Sequence, residues 1–170
     1  MGEKIIYLAA DERPCNYQHP DLIFDISDTE LIKPPISIMG QKKEAADVDK
    51  IQKWLLSNLN QADQVVLSIE LLIFGGILPS RIHNLSRDEL FIRLDFLKKI
   101  KAIKPNLKIY VFNLITRVPA YNSSDEEPEY YADYGEAIYK FGFLKDKNNR
   151  SDLTDLELKE LKRVKNEIPS

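Results

Sequence analysis

Residues 65–81 have the sequence VVLSIELLIFGGILPSR, in which an apolar run passes abruptly into an acid and then into two glycines and an arginine. Two other stretches share this layout: residues 5–17, IIYLAADERPCNY, and residues 109–117, IYVFNLITR. Continuous apolar runs of this kind are typical of strands that are buried on both faces of a parallel sheet. We therefore predict core strands over residues 5–10, 65–69 and 107–112.

The segments between these strands have helical patterns. Residues 48–59 place their apolar side chains on one stripe, and Ser86 with Glu89 forms a capping box ahead of a helix that extends to about residue 103. We also predict a short helix over residues 21–26, a short strand at residues 31–32 and a loop over residues 74–82. Alternating strands and helices indicate right-handed crossovers. The predicted fold is a three-layer αβα domain with a mainly parallel sheet, and part of a (β/α)8 barrel is the alternative.

The pattern is weaker after residue 112. A polar loop over residues 119–128 precedes a predicted helix over residues 130–141, and residues 145–150 indicate a polar turn. A charge-rich helix is predicted over residues 154–166. At 170 residues the chain has the length of a single domain.

Composition excludes several classes of protein. The net charge is −3 with acids and bases mixed along the chain, which argues against a nucleic-acid binder, and no apolar stretch approaches the length needed to span a membrane. Cys15 is the only cysteine, and His19 and His83 lack neighbouring ligands at metal-binding spacing. We expect no metal and no cofactor. The N-terminus lacks the features of a signal peptide, which favours a cytoplasmic location.

Polar side chains follow each of the predicted core strands. Loops at the carboxyl ends of parallel strands lie on one side of the sheet, where ligands bind. We therefore predict one rim with two catalytic carboxylates and five substrate-binding side chains. These are Glu70 and Asp11, together with Arg13, Asn16, Arg81, Asn113 and Arg117.

The two acids have different surroundings in the sequence. Glu70 lies between apolar runs, and loss of water around it would suit a general acid or base. The alternative is a buried structural acid paired with Arg81 or Arg117. Asp11 is close to Arg13, which suits either electrostatic work or a structural ion pair that fixes the loop. Gly75 and Gly76 are typical of a tight turn, and no phosphate-binding glycine motif is present.

At these same loops the sequence resembles the DUF4127 family of bacterial proteins of unknown function. The resemblance covers residues 8–17, 67–81, 113–119, 127–131 and 134–135. Two departures occur, since the family pattern usually has Asp at the position of Glu70 and a small residue at that of Glu12. Family members are usually much longer, so the resemblance implies that these residues are an N-terminal portion of a longer architecture or a shortened relative.

The leading hypothesis for function is a carbohydrate-directed, hydrolase-like domain in which Glu70 is the general acid/base and Asp11 is the second carboxylate. The alternative is a noncatalytic module that binds a small polar ligand or interacts with a second copy or with further chain. Phosphoester chemistry at Gly75 and Gly76 is disfavoured, because the sequence lacks a set of metal ligands.

Overall fold

A computed structural model describes residues 2–169 of the protein. The chain divides into two compact units, residues 1–114 and residues 115–170. The first unit contains the sheet and the second contains two helices.

The first unit is built on four parallel strands in the order β2-β1-β3-β4. They are β1 (Lys4–Leu8), β2 (Glu30–Ile32), β3 (Gln64–Ser68) and β4 (Lys108–Phe112). In this register Val65 of β3 lies between Ile6 and Ile109. The predicted α/β class, the parallel sheet and its three core strands are confirmed.

The strand order reverses direction at β1. The chain leaves β1 toward β2 on one side and then returns across β1 to place β3 on its other side. This is the order of doubly wound sheets, and the position between β1 and β3 is their topological switch point. In a (β/α)8 barrel, by contrast, neighbouring strands follow one another in sequence.

Helices connect the strands of the first unit. Helices α1 (Pro14–Tyr17) and α2 (His19–Phe24) follow β1, and α3 (Val48–Asn58) precedes β3. Helices α4 (Ile77–Ile82), α5 (Arg87–Leu94) and α6 (Phe96–Ile103) lie between β3 and β4. Short 3-10 turns occur at Ile36–Ile38 and Leu59–Gln61.

The main core forms on one face of the sheet. Alternate residues of β1 and β3 point to this face, and all are fully buried together with apolar residues of α3 and α6. The core includes Ile6, Leu8, Val65, Leu67, Ile51, Leu55 and Ile100. The opposite face of the sheet is less buried at the edge strand β4, where Tyr110 is 53% exposed.

The segment after β3 differs from the prediction. Residues 74–82 are not a loop, because a π-helical turn (Glu70–Phe74) is followed by α4. Leu71 and Leu72 of the turn are fully buried, and the first three residues of α4 are also buried. The capping box of Ser86 and Glu89 is confirmed, but the helix that it opens is interrupted at Asp95 and continues as α6.

The second unit contains α7 (Tyr131–Arg150) and α8 (Asp155–Glu167). The predicted polar turn at residues 145–150 is wrong, because these residues continue α7. An ion pair between Arg150 and Asp146, one helical turn apart, supports this end of the helix. Lys147 of α7 also contacts Glu157 of α8, with 2.5 Å between Nζ and Oε1.

Of the helices in residues 2–169, none combines the length and the apolar character that a membrane span requires.

Candidate functional site

The loop after β1 is organised around the carboxylate of Asp11, which is only 4% exposed. Arg13 binds one of its oxygens through Nε at 2.7 Å and through a second guanidinium nitrogen at 2.6 Å. The other oxygen accepts from the backbone N–H of Arg13 at 3.1 Å and from the amide of Asn16 at 2.6 Å. We call Asp11, Arg13 and Asn16 the Asp11 cluster. Two guanidinium nitrogens meet one carboxylate oxygen, and this charge-assisted contact holds both groups in place.

Tyr7 of β1 is hydrogen-bonded to this loop. Its hydroxyl donates a hydrogen bond to the carbonyl of Asn16 at 3.1 Å. Burial raises the pKa of Tyr7, and the charges of Asp11 and Cys15 raise it further. The phenol therefore keeps its proton well above neutral pH and remains a donor to the loop.

The loop after β3 is organised around Glu70, which is 5% exposed. Its carboxylate accepts from the hydroxyl of Ser68 at 2.5 Å and from the backbone N–H of Leu114 at 2.6 Å. The backbone N–H of Glu70 in turn donates to the Ser68 hydroxyl oxygen at 3.2 Å. We call Glu70, Ser68 and Leu114 the Glu70 cluster.

Two donors to the Glu70 carboxylate come from the first unit, the hydroxyl of Ser68 and the backbone amide of Leu114. Arg81 lies in the last turn of α4 and is half-buried. The buried acid is therefore oriented by neutral donors.

A third segment, residues 39–47, is tied to both loops. The backbone N–H of Lys42, a residue with φ of 50°, donates to Glu12 at 2.9 Å. The N–H of Ala46 donates to the carbonyl of Gly75 at 2.9 Å. At Gly75 φ is 84°, and an added Cβ would lie 2.7 Å from the carbonyl oxygen of Ala46. Glycine is thus required there by backbone conformation and by close approach.

The remaining predicted residues have varied environments. Asn113 follows β4, precedes the amide that binds Glu70, and is exposed. Arg117 belongs to the second unit, where its guanidinium contacts the Tyr121 hydroxyl at 3.2 Å. This hydrogen bond, and then the charge interaction with Tyr121, raise the pKa of Arg117.

The structure therefore brings some of the predicted residues together. Asp11, Arg13 and Asn16 form one hydrogen-bonded cluster, and Glu70 forms another at the end of the neighbouring strand. A common rim that also includes Arg81, Asn113 and Arg117 stays a prediction.

The sequence did not predict three groups that hold Asp11's loop or Glu70 in place. They are the hydroxyl of Ser68, the phenol of Tyr7 and the backbone amide of Leu114. Ser68 and Tyr7 lie inside predicted strands, where a polar atom on an inward face is a signal for a buried hydrogen bond. No sequence pattern identifies the Leu114 amide, since it comes from 44 residues away.

The chemistry of the two clusters is that of fixed oxygen and nitrogen groups. Carboxylate, amide and guanidinium groups can hold hydroxyl groups or a carboxylate of a polar ligand. Among residues 2–169, no group of three or more His, Cys, Asp or Glu side chains is arranged to hold a metal ion.

Comparison with curated proteins gave no match, and comparison with solved structures gave none either. The model of a family described as "Protein of unknown function (DUF4127)" matches residues 5–170. Because this match covers nearly the whole sequence, and includes Asp11, Glu70 and the segments around them, the chain belongs to the DUF4127 family.

Proposed function

We propose that the first unit binds a small polyhydroxylated ligand, of the carbohydrate class, at the switch point between β1 and β3. One observation carries the proposal. The two strands are neighbours, and each is followed by a buried carboxylate, Asp11 or Glu70, with an ordered set of donors. Doubly wound sheets bind ligands at the carboxyl ends of strands where the strand order reverses.

Fixed polar groups support this proposal. The guanidinium of Arg13 is held on Asp11, and its side chain is 41% exposed. A planar guanidinium suits vicinal hydroxyls or the carboxylate of a sugar acid. Asn113 is exposed beside the amide that binds Glu70 and offers both a donor and acceptors. Groups that are already ordered lose little conformational freedom on binding.

Glycoside hydrolysis is the second candidate. The presence of two buried acids after neighbouring strands favours it, because glycosidases use paired carboxylates. In this proposal Glu70 protonates the leaving oxygen and Asp11 is the second carboxylate. Their separation in a ligand complex would indicate the outcome, about 5–5.5 Å for retention and about 6.5–9.5 Å for inversion.

Binding can be tested by titrating the full chain with glucose, galactose, N-acetylglucosamine and glucuronate. We expect saturable binding of at least one sugar. It should be weakened by Arg13→Lys, which keeps the charge but loses the planar guanidinium, and by Asn113→Ala. The matched control is Asn84→Ala, another exposed loop asparagine. The proposal would be wrong if none of the four sugars bound, or if Arg13→Lys and Asn113→Ala left the affinity unchanged.

Hydrolysis is tested with 4-nitrophenyl glycosides of the same sugars. Turnover that disappears in Glu70→Gln would support glycoside hydrolysis with Glu70 as the catalytic acid. Turnover that survives unchanged in Glu70→Gln would remove Glu70 from the mechanism. Sugar binding without turnover would leave the binding function alone.

A further inference from the structure

An apolar groove lies in the first unit between the π-helical turn and α5. Its volume is about 270 Å³, which places it near the small end of ligand sites. Six apolar residues and one charged residue line it: Ile69, Ile73, Phe74, Leu90, Phe91, Leu94 and Arg87.

Helix α5 presents an unusual face to this groove. Leu90, Phe91 and Leu94 follow Arg87 at positions i+3, i+4 and i+7, so the four side chains form one helical stripe. The helix buries none of its residues, and Phe91 remains 51% exposed and Leu94 40% exposed. An apolar stripe of this kind would normally be covered.

The charged residue of the groove lining, Arg87, lies at the start of α5, where the first turn also contains Asp88 and Glu89. Arg87 is the first residue of the helix, and its guanidinium carbon lies 5.3 Å from the centroid of the Phe91 ring. The ring of His83 packs on Phe74, with 4.7 Å between centroids. Nδ1 of His83 accepts from the N–H of Leu85 at 3.1 Å.

We propose that this groove binds a small amphipathic carboxylate, with the alkyl chain between Ile73 and Phe91 and the carboxylate at Arg87. The choice of ligand rests on charge complementarity, because the only charge on the lining is positive and the rest of the lining is apolar. The inference concerns a different surface from the polar site between β1 and β3 and does not depend on that proposal.

Octanoate, used below its critical micelle concentration with the full chain, tests the inference by calorimetry and by backbone NMR shifts. We expect saturable binding with shifts concentrated in residues 69–74 and 87–94. Octyltrimethylammonium should bind at least about fivefold more weakly, because its charge opposes that of Arg87. Octanol should be weaker than octanoate for lack of an anionic group.

Three variants complete the test. Arg87→Gln and Phe91→Ala should each weaken octanoate binding about fivefold or more. Ile92→Ala should not weaken it, because Ile92 of the same helix is 72% exposed and does not line the groove. Absence of saturable binding, or binding indifferent to Arg87→Gln, would overturn the inference. A dimer of the free protein that dissociates in Phe91→Ala would also overturn it, because the groove would then be covered by a second copy.

Discussion

The carboxylate of Glu70 accepts the backbone N–H of Leu114 at 2.6 Å, and this contact joins the turn after β3 to the residue where the first unit ends. The same carboxylate accepts the Ser68 hydroxyl at 2.5 Å. One side chain thus satisfies donors from two neighbouring strand ends. This arrangement gives Glu70 a structural role that holds whether or not it takes part in catalysis.

Replacing Glu70 should destabilise the protein in proportion to the donors that are left without a partner. Glu70→Ala leaves two donors unpaired, one of them on fully buried Ser68, and we expect a loss of about 3 kcal/mol in the free energy of unfolding. Glu70→Gln keeps one carbonyl acceptor, so the loss should be about 1 kcal/mol. Urea denaturation of both variants measures the difference. Equal losses would show that the hydrogen bonds do not set the stability of this turn.

Asp11→Asn should loosen the loop after β1. The substitution removes the negative charge and places an amide group against the guanidinium of Arg13, and we expect a loss of about 2 kcal/mol because Asp11 is buried. Hydrogen exchange over residues 11–17 should become faster. Glu12→Gln is the matched control. Glu12 is less buried than Asp11, and the carbonyl of a glutamine there can still accept the N–H of Lys42. Unchanged exchange in Asp11→Asn would contradict this account of the loop.

Gly75→Ala tests the attachment of residues 39–47. The φ of 84° and the approach of the Ala46 carbonyl leave no room for a Cβ, so we expect a loss of about 2 kcal/mol. Gly142→Ala is the contrasting control. It lies in α7 with open space around its Cα, and there alanine should stabilise the protein by about 0.5–1 kcal/mol. Thermal unfolding curves that move in the same direction for both variants would refute the prediction.

The helices of the second unit should be sensitive to acid. A hydrogen bond from Lys147, with further ones from Thr154, lowers the pKa of Glu157 from 4.5 to about 2, and a hydrogen bond from Arg163 does the same for Glu160. Their pKa values are lower when folded than when unfolded, so their stabilisation is present above about pH 4.5 and is lost as the pH falls toward 2.

Helical content followed by circular dichroism should therefore stay constant from pH 7 to 5 and fall below that range, in part from these two groups. Glu157→Gln should reduce the loss of helical content at acid pH. Added salt should also reduce this loss, because the ion pairs of Glu157 and Glu160 are exposed. Identical pH profiles for the protein and for Glu157→Gln would rule out the contribution of this carboxylate.

The polar turn predicted at residues 145–150 shows where sequence pattern misleads. These residues are polar on every side, which is typical of a turn, yet they continue α7. Ion pairs of Arg150 with Asp146 and of Lys147 with Glu157 support the helix there. The second of these pairs requires α8 to be in place, and no local pattern contains that information.

The residues of the Asp11 cluster and Glu70 nevertheless follow local signals in the sequence. Residues 5–17 and 65–70 carry strong local signals: apolar runs that end in acids, with Arg13 and Asn16 at short range. The Asp11 cluster is local, and its members are within five residues of one another. The sequence pattern does not predict helix α4 within residues 74–82, because a helix of six residues is too short to show a helical period.

The sequence by itself determined the α/β class, the parallel core strands and the placement of Asp11 and Glu70 at strand ends, because apolar runs and local charges are properties of contiguous residues. The tertiary structure alone decided the order β2-β1-β3-β4 and the pairing of Glu70 with the Leu114 amide. Both depend on contacts between distant segments, whose free energy comes from packing and from satisfying buried polar groups. No single segment of the sequence encodes them.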